Sequence, residues 1–241
     1  NGGQVKDYEG VGKSRKPGIP IVAVNTTAGT GSEVTSFYIV TDSDTHSKMC
    51  MVDTNCMVTI AVDDADFMMT MPKGLTASTG MDAMTHAVEA VVAKRATPYT
   101  DKDALWAIKT IKEYLPAAVS NGGDVKAREM MAYAQYSAGM AFSNALLGIV
   151  HSMAHKTGAA FADYGAHIIH GAANAMYLPK VIAFNAKDET AKERYGEIAD
   201  FMKLGGETLD EKVALLIAYL RKMNDDLKIP HCIKNYGADS Y

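Results

Sequence analysis

The 241-residue chain contains little cysteine and no long hydrophobic run. Its three cysteines, Cys50, Cys56 and Cys232, fit neither a disulfide framework nor a CxxC site, which indicates free thiols in a reducing compartment. No apolar stretch reaches the roughly 18 residues of a membrane span, and no charged segment followed by an apolar one marks a secretory signal. We therefore expect a cytoplasmic protein with no membrane partner.

A basic surface pattern is also absent. The net charge is −4 and the lysines and arginines are scattered along the chain, so we expect no nucleic-acid partner. With 48% hydrophobic and 22% charged residues, the composition is that of an ordinary globular protein able to bury a sizeable core. The first residues are polar and lack an initiator methionine, which suggests a fragment of a longer protein.

The hydrophobic pattern changes along the chain. Apolar, β-branched runs predict strands over residues 19–27, 35–42, 48–53 and 57–63. A helical period then predicts helices over residues 66–72, 74–93, 104–115, 124–144, 148–157, 172–185, 187–202 and 207–224. Pro116 is expected to stop or kink one of these helices and Pro179 to kink another. We predict an α/β part over residues 1–70, followed by an all-helical domain over residues 71–241.

Four of the seven histidines fall within one short stretch: His151, His155, His167 and His170. His151 and His155 are four residues apart and so share a helix face, and Asp82 and His86 repeat this spacing elsewhere. Neutral imidazoles and a carboxylate together suit a divalent cation such as Fe(II) or Zn(II). The pattern predicts a mononuclear metal site, although spacing alone does not say which clustered histidines are ligands.

A second candidate site is the stretch Thr26-Thr-Ala-Gly-Thr-Gly-Ser-Glu33, which follows a predicted strand. Its backbone N–H groups and hydroxyls could face a phosphate. No Gly-Lys-Ser/Thr follows, so it is not a Walker loop. Taken alone, this stretch fits an ordinary polar turn equally well.

Three longer stretches carry a resemblance to a known family. They are Asn25-Thr-Thr-Ala-Gly-Thr-Gly-Ser-Glu-Val-Thr35, Gly80-Met-Asp-Ala-Met-Thr-His-Ala-Val-Glu89, and His151-Ser-Met-Ala-His155 with the later His170-Gly-Ala-Ala-Asn-Ala175. The chain resembles the iron-containing (group III) alcohol dehydrogenases, near their butanol dehydrogenase and aldehyde–alcohol dehydrogenase branches. The resemblance implies a dehydroquinate-synthase-like fold, with the inner part of a dinucleotide-binding domain followed by a helical metal domain.

The resemblance also implies roles for individual residues. The metal ligands would be Asp82, His86, His151 and His170, with His155 as the catalytic histidine. The residues lining the cofactor would be Thr26, Thr27, Thr30, Phe37, Lys48 and Leu75. The implied reaction is hydride transfer between a primary alcohol or aldehyde and NAD or NADP, with Fe2+, or alternatively Zn2+, in a homodimer or larger homo-oligomer.

Two departures from the family pattern bear on these roles. The last ligand motif reads Ile169-His170-Gly171 where the family usually has Pro-His-Gly, so His167 stays a reserve candidate for that ligand. The family's Gly-Gly-Gly-Ser pyrophosphate loop is absent, which implies a chain truncated at its N-terminus. Two alternatives remain open at this point: a zinc-dependent glycerol or polyol dehydrogenase, and a non-catalytic helical module of a longer dehydrogenase.

Overall fold

The computed structural model describes residues 2–45, 47–161 and 168–237. In these ranges the strands precede the α-helices, as the hydrophobic pattern predicts. The strands are β1 (Gly10–Val11), β2 (Val22–Val24), β3 (Phe37–Thr41), β4 (Lys48–Val52) and β5 (Ile60–Val62). The helices are α1 (Lys73–Val92), α2 (Pro98–Ser120), α3 (Val125–Ala145), α4 (Ile149–Ala160), α5 (His170–Asn185), α6 (Glu189–Phe201) and α7 (Leu209–Asp226). The division into two domains at residue 70 stays a prediction.

The strands form two small sheets. In one, β4 lies between β1, which is parallel to it, and β3, which is antiparallel to it. In the other, β2 and β5 pair in parallel with Val22 opposite Ile60. The first predicted strand is shorter than expected because only the three residues of β2 have partners on β5.

Helix α1 is the centre of the helical part. It packs against α2, α3 and α5, and almost every residue from Thr76 to Val91 is buried. A helix that is buried on all sides needs small or apolar residues around its whole circumference, and Gly80 meets this need where α1 faces Leu115 of α2. The polar residues of such a helix are costly to bury, so each of them needs a partner. No helix in the described part of the chain combines the length and apolarity of a membrane span.

Helix α2 differs from its prediction at both ends. It begins at Pro98 and not near Ala104, because Thr97 and Thr100 form a reciprocal capping box and proline at the first position loses no hydrogen bond. It also continues through Pro116 to Ser120, so Pro116 does not end it. Proline breaks only one intrahelical bond, and burial of Leu115 and Ala118 on the adjoining turns holds the helix together.

Candidate metal centre

Three helices bring the predicted ligands together. Helix α1 supplies Asp82 and His86, α4 supplies His151, and α5 begins at His170. The donor atoms of Asp82, His86 and His151 all lie within 4.8 Å of one another, and all three residues are buried. The Nε2 atom of His170 lies 3.8 Å from Asp82 Oδ1, and His151 Nε2 lies 3.6 Å from the same oxygen. The reserve candidate His167 lies outside the described residues.

A glycine sets the distance between α5 and α1. A Cβ at Gly171 would lie 2.1 Å from the carbonyl oxygen of Ser78 and 3.1 Å from the Cβ of Asp82. No side chain larger than hydrogen fits at that distance. Gly171 therefore lets the first turn of α5 approach α1 closely enough for His170 to reach Asp82.

The imidazole rings are packed against one another and against an aromatic wall. His86 stacks on Phe142 with ring centroids 4.2 Å apart and on His151 at 4.4 Å. Buried polar atoms almost always have hydrogen-bond partners, yet His86 Nδ1 and His170 Nδ1 have none among the described residues. Three imidazoles and a carboxylate match the donor set of a divalent cation. The residues present therefore fit a metal ion.

Burial and charge interactions give the residues of this cluster different protonation states. Burial would raise the pKa of Asp82, but the neighbouring His86, His151 and His170 outweigh burial and hold that pKa well below its usual range. Burial lowers the pKa of His86 to about 3, so the ring is neutral at neutral pH. Burial also acts to lower the pKa of His151, but the carboxylates of Asp82 and Glu89 reverse this effect and raise the pKa to about 9.

The predicted catalytic residue His155 lies one helical turn beyond His151. Its ring stacks on His170 with centroids 4.6 Å apart. Burial, followed by the effect of His170 and His151, lowers the pKa of His155 to about 4, so the ring is a neutral base near neutral pH. It lies outside the tight group formed by Asp82, His86 and His151.

A cavity of about 610 Å³ adjoins the cluster. It is lined by the five predicted metal and catalytic residues and by three of the predicted cofactor residues, Thr30, Phe37 and Lys48. Apolar residues Phe142, Leu146 and Leu147 complete one wall. The other predicted cofactor residues, Thr26, Thr27 and Leu75, are not part of this lining, and their roles stay predictions.

Two polar residues of the site were missed by the sequence reasoning. The Asn174 side-chain nitrogen lies 2.6 Å from Asp82 Oδ1, 3.0 Å from His151 Nε2 and 3.2 Å from His170 Nε2. Glu89 Oε2 lies 2.6 Å from His151 Nδ1. Helical spacing could have revealed both, since Asn174 is four residues after His170 and Glu89 is three residues after His86.

Comparison with family models identifies the family to which this chain belongs. The family model described as iron-containing alcohol dehydrogenase matches residues 1–65, and the model described as the C-terminal part of the Fe-containing alcohol dehydrogenase family matches residues 76–240. The chain belongs to the iron-containing alcohol dehydrogenase family. The resemblance drawn from the three sequence stretches is thereby confirmed.

Individual relatives are also named as alcohol-specific dehydrogenases. The chain is 46% identical over 232 residues to the NAD-dependent methanol dehydrogenase of Bacillus methanolicus, covering 95% of this chain and 59% of that protein. It is 51% identical over 216 residues to the NADPH-dependent butanol dehydrogenase of Clostridium saccharobutylicum, covering 90% of this chain and 53% of that protein. The chain therefore spans little more than half the length of these curated relatives, which agrees with the expected truncation.

A solved structure confirms the predicted fold. The alcohol dehydrogenase from Oenococcus oeni superposes with a TM-score of 0.92 at 39% sequence identity, covering 99% of this chain and 61% of that chain. The predicted fold class is therefore that of a solved alcohol dehydrogenase structure.

Proposed function

We propose that this chain forms the metal centre and the inner cofactor-facing wall of a metal-dependent, NAD(P)-linked alcohol dehydrogenase that also reduces aldehydes. One observation carries this proposal. Asp82, His86, His151 and His170 converge and line the same cavity as Thr30, Phe37 and Lys48. A metal donor set and a set of predicted cofactor contacts therefore face one space of about 610 Å³, large enough for a small substrate beside a nicotinamide ring.

The four converging residues would hold Fe2+, or alternatively Zn2+. A divalent cation at this place would supply Lewis acidity toward an alcohol or aldehyde oxygen. The family name favours iron, and one relative is named as NAD-dependent while another is named as NADPH-dependent. We therefore propose Fe2+ with NAD or NADP. The cytoplasmic location and the homo-oligomeric state stay predictions.

The remaining cavity residues would handle the proton and the substrate. His155 is neutral near neutral pH and lies beside His170, so it can accept or relay the proton of a substrate hydroxyl. Lys48 brings a positive charge to the cavity, which suits an anionic cofactor. The apolar wall of Phe142, Leu146 and Leu147 would exclude water from the path of hydride transfer.

The ligand assignment is tested by metal content. We expect the chain to take up one Fe2+ or Zn2+ under anaerobic reconstitution, and His151→Ala to lose both the metal and any alcohol-dependent formation of NAD(P)H. His231→Ala is the matched control, because His231 is an exposed histidine paired with Asp225. Full metal retention in His151→Ala would contradict the assignment.

The reaction is tested by a substrate panel and by cofactor binding. We expect short primary alcohols to be oxidised in preference to glycerol and other polyols. The reverse preference, with zinc bound, would favour the polyol dehydrogenase alternative. Metal binding without measurable affinity for NAD or NADP would favour the alternative of a non-catalytic module.

A further inference from the structure

Glu89 is a buried carboxylate that has no role in the proposed reaction. It lies on α1, two turns after Asp82, and its side chain is only 4% exposed. An ionised carboxylate in such a place is costly unless it is fully paired. Its partners therefore indicate what it does.

Within the described part of the chain, the hydrogen bonds of Glu89 go to the beginning of α4. Its Oε1 atom accepts the backbone N–H of Val150 at 2.8 Å, and its Oε2 atom lies 3.4 Å from the backbone nitrogen of His151. The same Oε2 atom lies 2.6 Å from Nδ1 of the His151 ring. One carboxylate thus caps the helix and holds the ring of the histidine at its third position.

The neighbouring backbone is shaped for this contact. Helix α4 follows Gly148, which makes no side-chain cap of its own. A Cβ at Gly148 would lie 2.9 Å from Glu89 Oε1, so a larger residue there would press on the carboxylate. Glu89 therefore takes the place of the missing cap, and glycine leaves it the room to do so.

The ring contact fixes which nitrogen of His151 faces the cluster. With Nδ1 held by Glu89, it is Nε2 that lies toward Asp82 Oδ1, at 3.6 Å. A carboxylate on the outer nitrogen of a metal-binding histidine fixes its tautomer and orientation and strengthens it as a ligand. We propose that Glu89 is a positioning residue that orients His151 for metal binding, an inference that rests on the metal centre of the proposed function.

The competing explanation is that Glu89 only caps α4. Glu89→Gln separates the two roles. Glutamine keeps an oxygen that can accept the Val150 N–H, but it lacks the negative charge that the carboxylate places beside the His151 imidazole. We expect this variant to bind Co2+ about 10–100-fold more weakly in competition with a chromophoric chelator, and to show an altered visible spectrum of the bound Co2+. The matched control is Asp124→Asn, since Asp124 caps α3 through the Ala127 N–H at 2.9 Å.

A second variant keeps the inference testable if Glu89→Gln does not fold. Gly148→Ala leaves the carboxylate in the chain but displaces it, so we expect weaker Co2+ binding than in the unmodified protein. If Glu89→Gln does not fold, unchanged Co2+ binding by Gly148→Ala would overturn the inference. Unchanged Co2+ affinity and spectrum in Glu89→Gln, with normal binding by the unmodified chain, would overturn this inference alone. Absence of Co2+ binding by the unmodified chain would overturn the metal centre itself.

Discussion

His155 and the proposed metal ligands belong to one histidine cluster but differ in position. His86 and His151 are buried, and their donor atoms lie close to those of Asp82. His155 is on the same helix face as His151 and lines the cavity, but it is not in this donor group, and its ring shows no approach to Asp82 like the 3.8 Å of His170 Nε2. Its position suits contact with a substrate better than contact with a metal ion.

His155→Gln is therefore expected to separate catalysis from metal binding. Loss of a general acid–base group typically lowers turnover by about 100-fold or more, while the metal content should stay that of the unmodified protein. Elemental analysis beside steady-state turnover measures both quantities. A proportional loss of metal would instead place His155 among the ligands.

Gly171 is a residue whose lack of a side chain matters for the site. Gly171→Ala places a Cβ 2.1 Å from the Ser78 carbonyl oxygen, so α5 and α1 must move apart. We expect a loss of about 1–3 kcal/mol in the free energy of unfolding from overpacking. We also expect weaker metal binding, because His170 moves away from Asp82. Chemical denaturation and metal titration measure the two effects.

The matched control for Gly171→Ala is Gly74→Ala. A Cβ at Gly74, in the first turn of α1, meets no atom of the described residues within 4 Å. Alanine also forms helix better than glycine. Gly74→Ala should therefore leave metal binding unchanged and stability equal or higher. Equal effects of the two substitutions would show that helix propensity, and not the contact between α5 and α1, is responsible.

At the scale of the element, α5 contains a proline, and a side chain of α7 supplies the hydrogen bond that the proline removes. Pro179 has no N–H, so the carbonyl of Ala175, four residues earlier, lacks its usual donor. The side-chain amide of Asn224 on α7 donates to this carbonyl at 2.8 Å. Both Asn224 and Pro179 are buried, so water cannot easily take over this role. Asn224 thus completes the backbone of the helix that carries His170.

The pair Asn224 and Pro179 should be coupled energetically. We expect Asn224→Ala to cost about 1–3 kcal/mol, because it leaves the buried Ala175 carbonyl unsatisfied. In a Pro179→Ala background the helix regains its own donor, so the same substitution should cost less. Urea denaturation of the four proteins gives the double-mutant cycle. Additive effects would contradict the role assigned to Asn224.

The elements show how far the sequence can predict this molecule. Helical period located α1, α3, α6 and α7 to within a few residues of their observed bounds. It failed at Pro116, because tertiary burial around a proline is not visible in local pattern. Spacing placed Asp82 with His86 on one face, but it could not show that α4 and α5 meet that face. The packing of α5 against α1 depends on close contacts such as that of Gly171 with Ser78, and such contacts are visible only in the folded structure.

At the scale of the whole molecule, one glutamine joins the strand-rich part to the helices. Gln135 on α3 accepts the N–H of Gly31 with its side-chain oxygen at 2.8 Å. Its side-chain nitrogen donates to Glu33 Oε1 at 2.9 Å and to Asp63 Oδ1 at 3.1 Å. The Gly31 backbone also lies directly on Gly139 of α3, where a Cβ would come within 2.8 Å of the Gly139 Cα. The predicted phosphate-facing stretch, residues 26–33, is thus held against α3 by a hydrogen-bond network that contains the carboxylates of Glu33 and Asp63.

This network makes stability depend on pH through Asp63. Burial, and then the negative charge of Glu33, raise the pKa of Asp63 from 3.8 to about 6. A raised pKa means that folding favours the protonated carboxyl, so its contribution is complete below pH 3.8 and is lost as the pH rises through about 6. Asp63→Asn imitates the protonated form and should be insensitive to this change.

Between pH 4 and 8, Asp63→Asn should therefore gain stability relative to the unmodified chain by about 1–2 kcal/mol, a value reduced because the Asp63 side chain is partly exposed. Thermal unfolding of both proteins across this range measures the gain, with Asp44→Asn as an exposed control. The difference should appear mainly between pH 4 and 6, where the folded and unfolded chains bind different numbers of protons at Asp63. Parallel curves of melting temperature against pH would show that Asp63 titrates alike in the folded and unfolded chain, and the carboxylate network would then hold the loop without sensing pH.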